Sequence, residues 1–191
     1  MKKYLIALFL LFVAAAISVS AQSKEADRVK IEADQNYLIL STKRIQTMEK
    51  ELDEVAAKGF RVLYGAPTVT YDMALFLEKL ENPERPFSYK ILATSRNKTM
   101  EKELNEQAAK GFRLLPRTMI FKQGLFTAEV ISVMERGFES NDIYEYKLVE
   151  AGKEIKLQKK IDAARADGFN PVTMITLGEH VVVMEKITGN K

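Results

Sequence analysis

The chain has 191 residues, 47% of them hydrophobic, a formal net charge of +3, one histidine and no cysteine. The absence of cysteine excludes a disulfide framework, a thiol nucleophile and a cysteine-based metal site. A chain of this length and apolar content can bury a substantial core.

The first 21 residues have the pattern of a secretory signal peptide. Lys2 and Lys3 form a positive start, residues 4–17 are apolar, and the small residues 19–21 are typical of a cleavage site. The apolar run is shorter than the ~20 residues that a membrane-spanning helix needs, although an uncleaved anchor remains an alternative. We therefore expect an exported protein, periplasmic or secreted, that is cleaved after Ala21 and continues with an N-terminal stretch over residues 22–34.

Cleavage at that point would change the charge balance. It removes two lysines and no acid, so the net charge falls from +3 to +1. A nearly neutral chain with interleaved charges argues against nucleic-acid binding. No second long apolar run follows, so we expect no stable membrane insertion after cleavage.

An internal repeat dominates the rest of the chain. Residues 37–63 align with residues 89–115 at an offset of 52, with 19 identities in 27 positions. A fainter third copy spans residues 146–172, and in every copy a tyrosine precedes a glycine by 22 residues. Such periodicity is the signature of a repeated structural element. We assign unit 1 to residues 35–80, unit 2 to residues 86–136 and unit 3 to residues 143–188.

Each unit opens with a predicted strand and continues with a predicted helix. The strands are "NYLILST" (36–42), "FSYKILAT" (87–94) and "YEYKLVEA" (144–151). The helices have apolar residues at i, i+4 and i+8, as in Met100, Leu104 and Ala108. Gly59, Gly111 and Gly168 then end the helices, because a residue after the last turn must adopt a left-handed conformation.

A hairpin of variable length completes each unit, so each unit is predicted to be β-α-β-β. The second hairpin strands share a pattern of two apolar residues, a glutamate and a basic residue, ending at Lys79, Arg136 and Lys186. The predicted fold class is α+β, with about nine strands and three helices, mostly antiparallel sheet and helices on one face. Pseudo-threefold and side-by-side arrangements of the units both remain open. A unit of about 50 residues is marginal alone, so we expect the three to pack together.

The third copy, "YEYKLVEAG" followed by "KLQKKIDAARADGFNPV" and "HVVVMEKI", resembles a small bacterial family of βαββ domains of unknown function. Members of that family have the pattern YEYKVV, then an amphipathic helix ending EGWEL, then a hairpin ending in a basic residue. Tyr144, Tyr146, Lys147, Gly168 and Lys186 match it, and a phenylalanine at position 169 stands where the family has tryptophan. The resemblance implies three tandem degenerate copies of this domain. It implies no activity, cofactor or catalytic residue.

No catalytic, cofactor-binding or metal-binding residue is predicted. His180 is alone and lies at a predicted turn, so it is read as an ordinary turn residue. Phe87, Tyr89, Tyr144 and Tyr146 alternate along strands, which favours a core against the helix over a ligand groove. Whether the chain is an enzyme is left open, with a binding protein favoured. The alternative is a hydrolase that uses carboxylates between units, such as Glu78 and Glu135, although a glutamate beside a basic residue is typical of an exposed strand end.

The favoured function is a non-enzymatic binding module of the bacterial envelope. Rigid units with unequal loops commonly present a binding surface. The longest hairpin, residues 116–128, is the predicted contact site, because it mixes basic and apolar side chains. Its predicted contact residues are Arg117, Met119, Ile120, Phe121, Lys122 and Phe126. The expected partner is a protein, a peptide or an envelope component.

Overall fold

The computed structural model describes residues 31–32, 34–42, 44–69, 73–81, 86–123, 128–137 and 142–190. The predicted signal peptide and most of the stretch over residues 22–34 lie outside these residues. Residues from Asp34 onward cluster as one compact unit. None of the helices in the described part of the chain is long and apolar enough to cross a membrane.

The fold is α+β, and its elements follow the chain in three successive segments. We call residues 34–81, 86–137 and 142–190 segments 1, 2 and 3. Segment 1 contains β1 (Tyr37–Thr42), α1 (Ile45–Ala56), β2 (Phe60–Pro67) and β3 (Met73–Lys79). Segment 2 contains β4 (Ser88–Thr94), α2 (Asn97–Ala108), β5 (Arg113–Leu114), a 3-10 turn (Pro116–Thr118), β6 (Ile120–Gln123) and β7 (Ala128–Arg136). Segment 3 contains β8 (Asp142–Ala151), α3 (Glu154–Ala166), β9 (Asn170–Leu177) and β10 (Glu179–Asn190).

Each segment forms its own antiparallel sheet. The strand orders are β1-β3-β2, β4-β7-β5 with β6 also paired to β7, and β8-β10-β9. The last strand of each segment is therefore central, and the strand before the helix lies at an edge. The described residues hold ten strands rather than the predicted nine.

The additional strand arises where Pro116 interrupts the hairpin of segment 2. Proline has no backbone N–H to donate to a ladder, so β5 ends and a 3-10 turn follows. The Thr118 side chain replaces the backbone partner that β7 loses at this point. Its buried hydroxyl accepts the Val133 N–H at 3.0 Å and donates to the Leu115 carbonyl at 2.7 Å. The backbone then resumes as β6.

The predicted helical stripes and helix ends are confirmed. Met100, Leu104 and Ala108 are buried, as are Met48, Leu52 and Ala56 in α1. Gly111 has a φ of 89°, and the glycines after α1 and α3 adopt nearly the same value. A side chain in this conformation is strained, which explains why all three positions are glycine.

The prediction that helices cover one face of the sheets is wrong for segments 2 and 3. Helix α1 contacts β4 as well as its own sheet, and α2 contacts β8 as well as its own sheet. The sheets and helices therefore alternate in layers, and the second and third sheets have a helix on both faces. The layers depend on the apolar stripes of α1 and α2, each of which covers two sheets, whereas α3 packs on the third sheet alone.

Tyr89, Tyr144 and Tyr146 are buried, as predicted, whereas Phe87 is half-buried, and the tyrosines of β8 pack against a different helix from the predicted one. Tyr144 and Tyr146 are buried in one cluster with Met100 and Leu104 of α2. Helix α3 instead packs on the opposite face of their sheet, around Val149 and Met184 among others. The third sheet thus turns its aromatic face to the preceding segment.

Gly65 provides a direct test of the docking between segments 1 and 2. A Cβ added there would lie 3.0 Å from the Thr118 Cα, a backbone atom of the other segment. We expect Gly65→Ala to lower the free energy of unfolding by about 1–3 kcal/mol, because the two segments must separate slightly. Gly189→Ala is the matched control, since nothing lies within 4 Å of its added Cβ. Chemical denaturation of both variants measures the difference, and equal stability of the two would contradict the close approach.

Candidate functional site

Segments 1 and 2 are joined by an arginine, a glutamate and a tyrosine. The Arg61 guanidinium of β2 donates to both carboxylate oxygens of Glu135 on β7, with Nη2–Oε1 at 2.8 Å and Nε–Oε2 at 3.1 Å. The Tyr89 hydroxyl of β4 donates to Glu135 Oε2 at 3.0 Å and accepts the Val62 N–H at 3.1 Å. We call this arrangement a joint. It satisfies the carboxylate and one backbone N–H of the edge strand β2.

The same joint occurs between segments 2 and 3. Arg113 of β5 donates to Glu185 on β10, with Nη2–Oε1 at 2.8 Å and Nε–Oε2 at 3.1 Å. The Tyr146 hydroxyl donates to Glu185 Oε2 at 2.9 Å and accepts the Leu114 N–H at 2.8 Å. Arg113, Leu114 and Tyr146 match residues of the first joint in the sequence alignment, and Glu185 matches Glu135 through the shared pattern of the last hairpin strands.

Burial makes each joint sensitive to the loss of a partner. Both glutamates are only 7% exposed, and each receives a two-point arginine contact. Each guanidinium also lies over an aromatic ring, with Arg61 4.7 Å from the Phe87 centroid and Arg113 4.9 Å from the Tyr144 centroid. Charge-assisted contacts of this fork geometry are among the strongest hydrogen bonds in proteins. Removing the arginine would leave a buried carboxylate without its counter-ion.

The burial of Glu135 corrects the prediction of an exposed strand end. Strand β7 is central rather than terminal in its sheet, and its glutamate faces the preceding segment. Glu78 occupies the matching place in β3, where it lies in register with Tyr37 and Arg61. Glu78 and Glu135, the two carboxylates of the alternative hydrolase hypothesis, therefore lie in different environments.

Helix side chains cover the edge strands at the same joints. Glu49 of α1 accepts the Ile91 N–H at 3.0 Å and pairs with Lys90 at 2.9 Å. Glu101 of α2 accepts the Leu148 N–H at 2.6 Å. Because β4 and β8 are edge strands, these carboxylates occupy backbone donors that would otherwise be open to another strand.

Asn105 of α2 extends the second joint. Its amide oxygen accepts the Tyr146 N–H, and its amide nitrogen donates to the Tyr146 carbonyl, both at 2.8 Å. In this way the side chain forms the two hydrogen bonds that a neighbouring strand would form. Asp53 stands at the matching position of α1, and a carboxylate cannot donate the second of these bonds.

Within the described ranges, no helix packs on the matching surface of the first sheet, and no arginine pairs with its glutamate. Tyr37 and Glu78 are a direct cross-strand pair, as are the tyrosine and glutamate of each joint. Tyr37 is 58% exposed and Ile39 is 67% exposed. Among the described residues, nothing hydrogen-bonds or ion-pairs with the Glu78 carboxylate.

An exposed aromatic row crosses this surface. The rings of Tyr37 and Phe76 stack at 5.5 Å, and those of Phe76 and Tyr64 stack at 6.3 Å. Arg117 ends the row, because it donates to the Tyr64 hydroxyl at 3.0 Å and lies 5.3 Å from its ring centroid. We define the aromatic row as Tyr37, Phe76, Tyr64 and Arg117. Exposed contiguous aromatic surface is typical of interaction sites.

The far end of the layered fold lacks the docking residues. Asn170 of β9 stands where the joints have arginine, and it is exposed. Gln158 and Asp162 of α3 stand where α2 has Glu101 and Asn105, and they bond to each other at 2.8 Å. At these three positions, the surface of segment 3 cannot reproduce the contacts of a joint.

The predicted contact hairpin is divided between core and surface. Ile120 is 3% exposed, and Met119 packs against the core cluster of α2. Phe121 is 40% exposed, and Arg117 belongs to the aromatic row. Phe126 lies outside the described residues. The contact role of the hairpin stays a prediction, restricted among its described side chains to Arg117, Phe121 and the partly exposed Lys122.

A shallow groove lies beside Arg117. Its volume is about 280 Å³, and its lining includes Leu63, Leu115 and Val172, which match one another in the alignment, together with Pro116. The lining is apolar apart from the arginine. The groove therefore extends the accessible surface of the hairpin with an apolar recess.

The described residues contain no group of three or more His, Cys, Asp or Glu side chains that could hold a metal ion. His180 is the second residue of β10, so it lies in a strand rather than in the predicted turn, and its Nδ1 lies 3.5 Å from the Thr176 hydroxyl across the strand pair. Of the residues that carry the family resemblance, Lys147 and Lys186 flank Phe169, with each ammonium nitrogen 5.4 Å from its ring centroid. Comparisons with protein-family models, with curated proteins and with solved structures find no match for the chain.

The tyrosines of the joints make stability depend on alkaline pH. Burial raises the pKa of the Tyr89 and Tyr146 hydroxyls above the usual 10, and the neighbouring glutamate charges raise it further. Above about pH 10 the unfolded chain releases these protons while the folded chain keeps them, so stability is present below that pH and falls above it. Each tyrosine contributes a loss of up to about 1.4 kcal/mol per pH unit.

We expect Tyr146→Phe to unfold with a shallower pH dependence than the unaltered chain above about pH 10. Tyr64→Phe is the matched control, because that ring is exposed at the surface. Denaturant titrations between about pH 8 and about pH 11.5 measure both slopes. An unchanged slope in Tyr146→Phe would contradict the assignment of the buried proton.

Proposed function

We propose that the chain is an exported, non-enzymatic binding module of the bacterial envelope, built from three βαββ repeats. The signal-peptide pattern of residues 1–21 supports export, and the aligned sequence copies support the repeats. The residues that form the two joints occupy matching positions in those copies, which is a second reason for the repeat assignment. The resemblance of the third copy to the βαββ family is part of the same proposal.

The observation that carries the binding role is the aromatic row on the outer face of segment 1. Tyrosine and arginine are among the side chains enriched at the energetic centres of protein interfaces. The row joins Arg117 of the predicted contact hairpin to the exposed pair Tyr37 and Ile39. The alternative carboxylate hydrolase draws no support from Glu135 or Glu185, because arginine and tyrosine already engage their oxygens.

A capture experiment with surface variants tests the proposed role. The tagged chain is incubated with an envelope fraction, and bound proteins are quantified for the unaltered chain and for Tyr37→Ser/Tyr64→Ser. We expect at least one partner to fall by about tenfold or more, since the double substitution removes both tyrosines of the row. That partner is then purified, and its affinity for both chains is measured.

The matched control is Ile155→Ser/Met174→Ser, which removes two exposed apolar side chains of segment 3. This control is expected to retain the partner. If the row variant and the control retain the same proteins, the aromatic row is not the binding surface.

A further inference from the structure

In the part of the chain that the structure describes, there are three cross-strand pairs of tyrosine and glutamate, and two of them bind an arginine. Tyr89 with Glu135 holds Arg61, and Tyr146 with Glu185 holds Arg113. The third pair, Tyr37 with Glu78, has the same register in the first sheet. We call this third pair the open acceptor.

The surroundings of the open acceptor match those of an interface before docking. Ile39 corresponds to Ile91 and Leu148, whose N–H groups are bound by helix carboxylates in the two joints. Phe76 and Ile39 lie beside each other in register and supply apolar area next to the Glu78 charge. A carboxylate rimmed by aromatic and aliphatic side chains suits a cation that arrives with an apolar surface.

Another copy of the chain cannot fill the acceptor in the manner of the joints. The segment that would dock head-to-tail is segment 3, and it has Asn170 in place of the arginine. Its helix has Gln158 and Asp162, which are bonded to each other. The internal joints therefore show which groups an occupant needs, namely an arginine and helix side chains that bind the edge strand. The outer surface of segment 3 lacks these groups.

We propose that Tyr37 and Glu78 bind an arginine side chain of a different protein, whose adjoining helix covers Ile39 and Phe76. This inference rests on the proposed function of the chain as a binding module. Arginine is favoured over lysine because its planar fork contacts both carboxylate oxygens, as in the two joints. The partner helix presents a carboxylate or amide to the edge of β1.

One difference makes this site weaker than the internal joints. Phe87 and Tyr144 provide the ring under the guanidinium in the joints. The matching position in segment 1 is Gln35, so that stacking contact is missing. Binding of an arginine at the open acceptor is therefore expected to be weaker than in the two joints.

A synthetic peptide of residues 97–118 is a defined probe of the open acceptor. It contains the α2 docking face, including Glu101 and Asn105, and the Arg113 strand, which together bind the matching surface of segment 3. A lactam between Lys102 and Glu106 holds it helical, because these exposed side chains form an i, i+4 pair away from the joint. The chain has no tryptophan, so a tryptophan added to the peptide reports binding alone.

The experiment is a fluorescence titration of the full chain with this peptide. We expect Glu78→Gln in the chain to weaken binding by about tenfold, and Arg113→Ala in the peptide to weaken it equally, since each removes one half of the ion pair. The two changes together are expected to weaken binding no more than either alone. Arg113→Lys in the peptide recovers only part of the affinity.

Glu54→Gln is the matched control in the chain, because Glu54 is an exposed carboxylate of the same segment. Equal affinity of the peptide for Glu78→Gln and Glu54→Gln would overturn the proposal, as would the absence of binding. A Tyr37-dependent dimer in sedimentation would also overturn it, since the occupant would then be a second copy. The capture experiment tests the wider binding role independently of the peptide titration. That role is contradicted if Tyr37→Ser/Tyr64→Ser captures the same envelope proteins as the unaltered chain.

Discussion

The buried carboxylate in each joint is the constraint on which the arrangement of the three segments depends. A glutamate that is shielded from water requires a counter-ion and hydrogen-bond donors, and its own sheet supplies only the tyrosine. The arginine comes from the preceding segment, at the edge strand that follows the helix. Segments can therefore dock only where that edge strand reaches the aromatic face of the next sheet. Apolar burial of the helices stabilises the layers, whereas the ion pair selects their orientation and order.

This constraint also explains why the two ends of the layered fold differ. An interior segment must present an acceptor on its sheet and a donor on its edge strand. Segment 3 has the acceptor but carries Asn170 in place of the donor, so the series of joints stops there. Segment 1 has the donor and an acceptor whose rings are exposed. The surface that internal docking leaves open is thus on segment 1, where the aromatic row also lies, and this is where we place the binding role.

Much of the local structure could be predicted from the sequence, because strand alternation, helical periodicity and glycine positions reflect contacts between near neighbours. The stripe of Met100, Leu104 and Ala108 and the turn at Gly111 are examples. The role of Glu135 could not be predicted in this way, since a glutamate before a basic residue is equally typical of an exposed strand end. Its burial depends on Arg61, which is 74 residues away. One signal was present: Arg61 and Arg113 are identical in the copies, although neither helix nor turn requires arginine there. The division of this strand into β5 and β6 depends on the hydrogen bond between the Thr118 hydroxyl and the Val133 N–H of β7, which no local sequence pattern indicates.

Native-state hydrogen exchange at three aligned amides tests the central claim most directly. Ile91 and Leu148 donate their N–H groups to helix carboxylates within the joints, and Ile39 is the matching residue of the uncovered first sheet. The account predicts slow exchange at Ile91 and Leu148, through openings that separate the segments, and exchange near the intrinsic rate at Ile39. Equal exchange rates at all three amides, whether slow or fast, would contradict the claim that two such interfaces are formed while the matching surface of the first sheet stays uncovered.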